Sequence, residues 1–284
     1  MPAHTLSPLR YPGGKSAIAP YLNRFISTNG LEKCAYAEPY AGGAGAALKL
    51  LSDNVVSDIY LNDIDNHIYA VWYSILHRTK QFLDLIINTP ITIAEWDYQR
   101  EVYKNASKSD ISLDVAFSTF FLNRCNRSGV ITGGVIGGLN QAGQYKMDAR
   151  FNKPKLIQKI QWISSKKKHI HISKYDALMF LDEFYKNPNK DKFIYLDPPY
   201  YNQGPSLYFN SYQHNDHVAL RDKLHEIAKG KWLLSYDDTP EIKSIYGNKI
   251  FESKKNAIHY SLRRVRDCSE IIIKSPACVW PKDF

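Results

Sequence analysis

Residues 35–51 read AYAEPYAGGAGAALKLL. A short apolar run ends in Glu38-Pro39-Tyr40, turns through Gly42, Gly43 and Gly45, and enters a stretch rich in alanine and leucine. The pattern predicts a buried strand over 34–38, a glycine turn, and a helix over 44–51. Glycines at such a turn let the backbone come close to a ligand at the carboxyl end of the strand. The same turn serves as a plain tight corner, or as a seat for NAD, FAD or S-adenosylmethionine. It is not a full GxGxxG, and it lacks the GK[ST] of a phosphate loop.

Working outward, the apolar run at 54–61 reads as the second strand, and VVSDIYLNDID (55–65) places Asp63 at its end, 18 residues beyond Gly45. A carboxylate there can accept from both hydroxyls of a ribose. It can also cap the helix that starts near Asn66, or sit in a solvated turn. Further apolar runs at 169–172, 193–196, 232–235 and 270–273 read as strands, and 66–76 and 215–228 as helices. Strands alternating with helices argue for a mostly parallel sheet covered on both faces.

The middle of the chain departs from this rhythm. One long helix is expected at 113–123. After it comes NRSGVITGGVIGGLNQAGQYKMDARFNKPK at 126–155, too long for a simple connection in a compact α/β unit. The expected organisation is a discontinuous domain, 1–76 with 169–284, carrying an inserted, mainly helical subdomain at 77–168.

Residues 192–204, KFIYLDPPYYNQG, place a carboxylate at the mouth of a strand and fix the next two torsions with proline. Neither proline donates a backbone hydrogen bond. The segment is therefore a stiff corner presenting Asp197, two carbonyls and the ring of Tyr200.

Apolar residues make up 44% of the 284, enough for a sizeable core. A formal charge of +9 favours a polyanionic partner, because lysine and arginine gain from releasing phosphate counterions. The four cysteines share no CxxC spacing and the histidines form no zinc ladder, so no metal is expected. No apolar run approaches the ~20 residues of a membrane span, and the first residues hold no signal core. A cytoplasmic protein, monomeric or weakly dimeric, is the expectation.

In order, LRYPGGKS (9–16), AEPYAGGAG (37–45), LNDID (61–65), the inserted segment and DPPY (197–200) resemble the Dam-type DNA N6-adenine methyltransferases. SYDDTPEI (235–242) and YSLRRVRDCSEIIIKS (260–275) look like late segments of the same family, so the likeness covers nearly the whole chain. The resemblance implies a Rossmann-like, S-adenosylmethionine-dependent sheet with an inserted target-recognition subdomain, acting on double-stranded DNA. Tyr11 stands where the family usually has tryptophan, beside the methionine part of the donor. Lys15 matches the lysine near donor and catalytic strand. Glu38, Pro39, Tyr40, Gly42, Gly43 and Gly45 match the cofactor turn, although its third residue is more often phenylalanine and the glycine spacing is shifted. Asp63 matches the ribose acid, and Asp176, in HISKYDAL, the polar residue near the donor's adenine. Asp197, Pro198, Pro199 and Tyr200 match the catalytic tetrapeptide in full.

The chemistry suits those residues. An exocyclic adenine amine is a poor nucleophile, because its lone pair is delocalised into the ring. Two acceptors, the Asp197 carboxylate and the Pro198 carbonyl, favour a pyramidal nitrogen with the pair freed. Tyr200 offers a stacking face, and the transfer is helped mainly by positioning and electrostatics. Inside a duplex the base must first be rotated out. Tyr201, Tyr208, Phe209 and Tyr212 either wall that pocket or simply pack.

Three segments concentrate groups suited to DNA: Arg124, Asn126 and Arg127; then Lys146, Arg150, Lys153 and Lys155; then Arg263, Arg264 and Arg266. Arginine pairs bidentately with guanine or grips phosphate. Arg127 is expected to read a base and Arg124 to meet phosphate. Two alternatives stay open: an RNA adenine-N6 methyltransferase, and an inactive DNA-binding relative or assembly subunit.

Overall fold

The computed structural model describes residues 6–10, 15–107, 109–188, 191–201, 212–247, 251–256 and 270–282. Tyr11, Tyr208, Phe209, Arg263, Arg264 and Arg266 lie outside the described residues. The chain begins with α1 (Ala19–Thr28), β1 (Ala35–Glu38), α2 (Gly45–Ser52) and β2 (Asp58–Asn62). It continues through α3 (Asn66–His77), α4 (Thr79–Asn88), α5 (Ile93–Asn105), α6 (Leu113–Cys125), α7 (Lys153–Ser165) and β3 (Ile170–Ser173). Then come α8 (Ala177–Lys186), β4 (Lys192–Leu196), α9 (His214–Glu226), β5 (Trp232–Asp237), α10 (Pro240–Tyr246), β6 (Glu252–Asn256) and β7 (Glu270–Lys274). Two compact units result: Met1–Gly14 with Asp63–Lys174, and Lys15–Asn62 with Tyr175–Phe284.

In the second unit, six strands lie in the order β2-β1-β4-β5-β7-β6. β2, β1, β4 and β5 run parallel, with Tyr36 opposite both Ile59 and Phe193, and Tyr195 opposite Leu233. β7 is antiparallel to β5 and to β6. The expected α/β sheet is therefore present, with an antiparallel edge. β1 is buried throughout, which marks a strand covered on both faces. Alternation along β4 divides its side chains between them. Phe193 stacks on Phe25 of α1 at 5.5 Å. Ile194 and Leu196 join Phe180, Leu181 and Phe184 of α8 and Leu220 and Leu224 of α9 in one buried cluster. β6, ESKKN, has no apolar alternation and escapes a reading by pattern; its charge suits an edge strand.

β1 has β2 on one side and β4 on the other. The chain leaves β1 through α2 to reach β2, while β4 enters on the opposite flank. In open α/β sheets ligands bind outside the carboxyl ends of strands at such a reversal. Glu38-Pro39 and Asp197 stand at those two ends.

The helical unit is wider than the 77–168 expected, because α3 packs on α6 and α7 and takes Asp63 and the following residues with it. It also holds more helix than the single one expected. α6 is buried on nearly every face, and Phe120 and Phe121 meet Phe151 at 5.7 and 5.4 Å. Side-chain caps start four of its helices: Asp65 on α3, Thr92 on α5, Ser112 on α6 and Asn152 on α7. The glycine-rich segment is folded on itself. Gln141 donates to the carbonyls of Ile136 and Gly138 and accepts from the Met147 amide at 2.8, 2.6 and 2.8 Å. Gly129, at φ +80°, brings the backbone against Arg10, where a Cβ would come within 2.5 Å of the Arg10 carbonyl oxygen.

Candidate active site

At the carboxyl end of β4 the two prolines stop strand pairing, and Asp197 is caught by neighbours from two elements. Lys15, at the head of a short 3-10 turn (Lys15–Ile18), places Nζ 3.0 Å from Asp197 Oδ1. The Ser235 hydroxyl, on the adjacent β5, donates to the same oxygen at 2.8 Å. Among the described residues no hydrogen bond falls on Asp197 Oδ2, so one oxygen is anchored and the other is left for a donor from outside.

Tyr200 is held as firmly. Lys15 Nζ donates to its hydroxyl at 3.0 Å, and that hydroxyl donates to Glu270 Oε1 at 2.6 Å. Lys15 Nζ stands 3.7 Å from the same Glu270 oxygen and 5.4 Å from the centre of the Tyr200 ring. The Tyr201 amide donates to Asp237 Oδ1 at 3.0 Å, which pins the chain as it leaves the corner. Tyr201 and Tyr212 both lie against the buried His217 ring, at 5.0 and 5.3 Å. The Tyr212 hydroxyl shares a 2.7 Å hydrogen bond with Tyr40 of the glycine turn.

The turn after β1 is built on left-handed residues, Gly42 at φ +46° and Ala44 at φ +47°. Ala44 precedes α2 with no side-chain cap. Gly45 is needed for packing: a Cβ there would collide with Ser16 Oγ. Asn62 ends β2 and steadies the turn, donating to the Pro39 and Tyr175 carbonyls at 3.0 and 2.9 Å. Glu38 is buried, and its Oε1 accepts from the Tyr36 hydroxyl and the Ala47 amide, each at 2.9 Å.

Burial pushes the Glu38 carboxyl up to about 8, against those two hydrogen bonds, which favour the charged form. The folded chain therefore keeps a proton that the unfolded chain releases as pH rises from about 4.5 towards about 8. This contribution to stability is full at the acid end and is lost across that window. Glu38→Gln should flatten the decline, removing up to about 1.4 kcal/mol per pH unit. Urea unfolding at several pH values reads this directly, and an unchanged slope in the variant would clear Glu38 of the effect.

A family model described as D12 class N6 adenine-specific DNA methyltransferase matches residues 11–261. The chain belongs to this family. It is 20% identical over 254 residues to the Type II methyltransferase M1.LlaDCHI of Lactococcus lactis subsp. cremoris, covering 84% of this chain and 83% of that one. It also matches the solved structure of the rRNA methyltransferase aviRa from Streptomyces viridochromogenes. That match has 11% identity and a TM-score of 0.39, and covers 94% of this chain and 87% of the other, too slight a likeness to bear on function.

In this D12 class methyltransferase the second unit brings together Lys15, Asp197 and Tyr200, three residues singled out from the sequence. To these it adds Ser235 and Glu270, which sequence reasoning missed. Asp176 caps α8, accepting from the Leu178 amide at 2.9 Å. In the helical unit Asp63 Oδ1 accepts from the Asp65 amide at 3.0 Å, and the capping of α3 falls to Asp65.

The polar groups expected at DNA divide by burial. Arg127 is exposed. Lys146 and Arg150 are exposed as well, although the Lys146 ammonium turns back to the Gln141 carbonyl. Asn126 is fully buried, its side chain bonded to the Trp96 indole at 2.7 Å and to the Val130 and Ile131 carbonyls. Asn126, expected at DNA, has its side-chain amide bonded within the loop. Lys153 reaches the Ile87 and Thr89 carbonyls at 2.8 Å each, where α4 ends. Arg124 is half-buried and brackets the Pro8 and Arg150 carbonyls. Burial first, and then the nearby Arg10 charge, bring its guanidinium down to about 10. Among the described residues no ion pair joins Arg10, Arg124, Arg127 or Arg150 to a carboxylate.

Among the described residues no group of His, Cys, Asp and Glu is placed to hold a metal ion, and no helix is long and apolar enough to cross a membrane.

Proposed function

We propose that this adenine-specific DNA methyltransferase moves a methyl group from S-adenosylmethionine to the N6 amine of an adenine rotated out of double-stranded DNA. The observation that carries the reading is the Asp197 carboxylate, anchored through one oxygen and with no partner on the other among the described residues, beside a tyrosine ring fixed at its hydroxyl. The corner residues fit the donor. The turn 39–44 has two left-handed positions and opens onto an uncapped helix start, the close backbone approach that a nucleoside ligand needs. The turn backbone with Glu38 and Tyr40 would hold it; the role of Asp63 at the ribose rests on the motif resemblance alone. When bound, S-adenosylmethionine supplies an electrophilic sulfonium methyl.

The chain's own part is positioning and electrostatics. Asp197 Oδ2 accepts one hydrogen of the amine, and the Pro198 carbonyl, held by the proline rings, accepts the other. The nitrogen lone pair is then turned out of conjugation. Lys15 and Ser235 keep Asp197 from swinging, so little ordering is left for the moment of reaction. The ring of Tyr200 stacks on the base and offsets part of the few kcal/mol that extrusion costs.

The proposed DNA contact is the arginine-bearing loop of the helical unit, where Arg10 and Arg124 find carbonyls and, among the described residues, no arginine of the loop finds a carboxylate. A partner rich in phosphate would satisfy these cations. Arg127→Ala should keep the parental melting temperature and weaken duplex binding, lowering the slope of log affinity against log salt by about one if it meets phosphate. If it reads a base, it should cost roughly 1–3 kcal/mol on the cognate site alone. Arg124→Ala should instead lower stability, because two carbonyls lose their donor. Binding titrations across a salt series settle which holds, and parental binding by the Arg127 variant would move the contact elsewhere.

Labelled S-adenosylmethionine offered with mixed-sequence duplex DNA and with ribosomal RNA tests the whole reading. Label in DNA adenine supports it. Label in RNA alone, or in neither, overturns it. The curated relative is a Type II methyltransferase, so we further infer that this chain modifies one short sequence, which mapping of the methylated adenines would reveal.

A further inference from the structure

We propose that Glu270 is a positioning residue that fixes the ring of Tyr200, and so the stacking face given to the target base, through the phenol hydroxyl. The inference rests on the reading of Tyr200 as that face. Glu270 opens β7, opposite Asp237 of β5 and Asn256 of β6, so two ladders hold its backbone. Its Oε1 takes the Tyr200 hydroxyl at 2.6 Å, a short bond to a charged acceptor. The phenol oxygen in turn accepts from Lys15 at 3.0 Å. Donor order along the chain is thus unambiguous: lysine to phenol, phenol to carboxylate.

A tyrosine ring turns about two torsions: an anchor on the hydroxyl fixes the first by position, and, because a phenol O–H prefers the ring plane, the Lys15 and Glu270 partners on that oxygen favour one setting of the second. Among the described residues, the backbone around it is held by the prolines and by the Tyr201 amide on Asp237, and the hydroxyl anchor adds a restraint on the ring itself. The side chains of Lys15 and Glu270 are 15% and 14% exposed, so water competes weakly for the bond. Glu270 has a second effect. It draws on the same ammonium as Asp197, at 3.7 against 3.0 Å, so the lysine charge is shared between two carboxylates. Both effects favour the reaction without Glu270 touching donor or base.

Single-turnover methyl transfer at saturating donor, on a duplex carrying the mapped site, tests this with Glu270→Ala, Glu270→Gln, Tyr200→Phe and the Glu270→Ala/Tyr200→Phe pair. Glu270→Ala should slow transfer about 10- to 100-fold, the worth of a hydrogen bond to a charged group. Donor affinity, measured by calorimetry, should stay within about two-fold. Glu270→Gln keeps an acceptor for the phenol and should recover most of the rate. The double variant should be no more than about two-fold slower than the slower single one, because both changes delete one interaction.

Rates that multiply in the double variant, a parental rate in Glu270→Ala, or a loss confined to donor affinity would each overturn the proposal. Should Glu270→Ala fail to fold by circular dichroism, Tyr200→Phe decides alone: it removes the same bond from the other end, and a parental rate overturns the proposal. A parent protein that methylates no duplex overturns the functional reading and this inference together. An active parent with indifferent variants overturns only this one.

Discussion

Asp197→Ala should lose methyl transfer by at least about 10²- to 10³-fold, the usual effect of deleting one preorganised electrostatic group at a reacting centre. Donor binding and the fold should be largely kept. The more telling variant is Asp197→Asn, which preserves shape. Lys15 and Ser235 both present donors to Oδ1. An asparagine must therefore turn its carbonyl oxygen toward them, which aims its NH₂ group at the amine of the adenine. Donor then faces donor, and the second acceptor on Pro198 cannot compensate. The asparagine variant should be nearly as inactive as the alanine variant, although its packing is intact. Rapid-quench measurement of a single turnover separates this from slow product release. Turnover by Asp197→Asn within a few-fold of the parent would mean that Asp197 does not receive the amine through Oδ2.

The same geometry explains what could be read in advance. β1 with its glycine turn, β2, β4 with the proline corner, and β5 are short apolar runs with sharp punctuation. A strand buried on both faces writes that pattern directly into sequence. Lys15 and Asp197 stand in the ordered motifs that pointed to the family, and a model of that family matches residues 11–261. Glu270 was not. In EIIIK it looks like an ordinary acid at the mouth of a strand, and only the antiparallel register that sets it opposite Asp237 carries it to Tyr200. Ser235 hides in the same way inside a continuous buried strand. In the helical unit, α5 escaped because IAEWDYQREVYKN buries few side chains, chiefly Trp96 and Gln99, and shows no clear apolar stripe. The burial of Asn126 was hidden for the opposite reason. A polar residue beside arginines reads as exposed until its tertiary partners, Trp96 above all, are known.

Asp63 carries the other large effect expected. Asp63→Ala should weaken S-adenosylmethionine binding about 10- to 100-fold, the worth of charged hydrogen bonds to a ribose, and slow the step at saturating donor far less. The alanine variant also loses a local bond, since Asp63 Oδ1 accepts from the Asp65 amide, and Asp65 in turn caps α3. A drop in affinity after Asp63→Ala alone would therefore confound ligand contact with a loosened turn. Asp63→Asn separates them. Its side-chain oxygen still accepts from the Asp65 amide, so the melting temperature should stay near the parent's. Its amide group can no longer accept from a second hydroxyl and carries no charge, so donor affinity should still fall about ten-fold. Calorimetry on both variants reads the difference. Weak binding in Asp63→Asn at parental stability places the carboxylate on the donor. Parental affinity in that variant would assign Asp63 to the turn, and the ribose would have to be sought at another polar group.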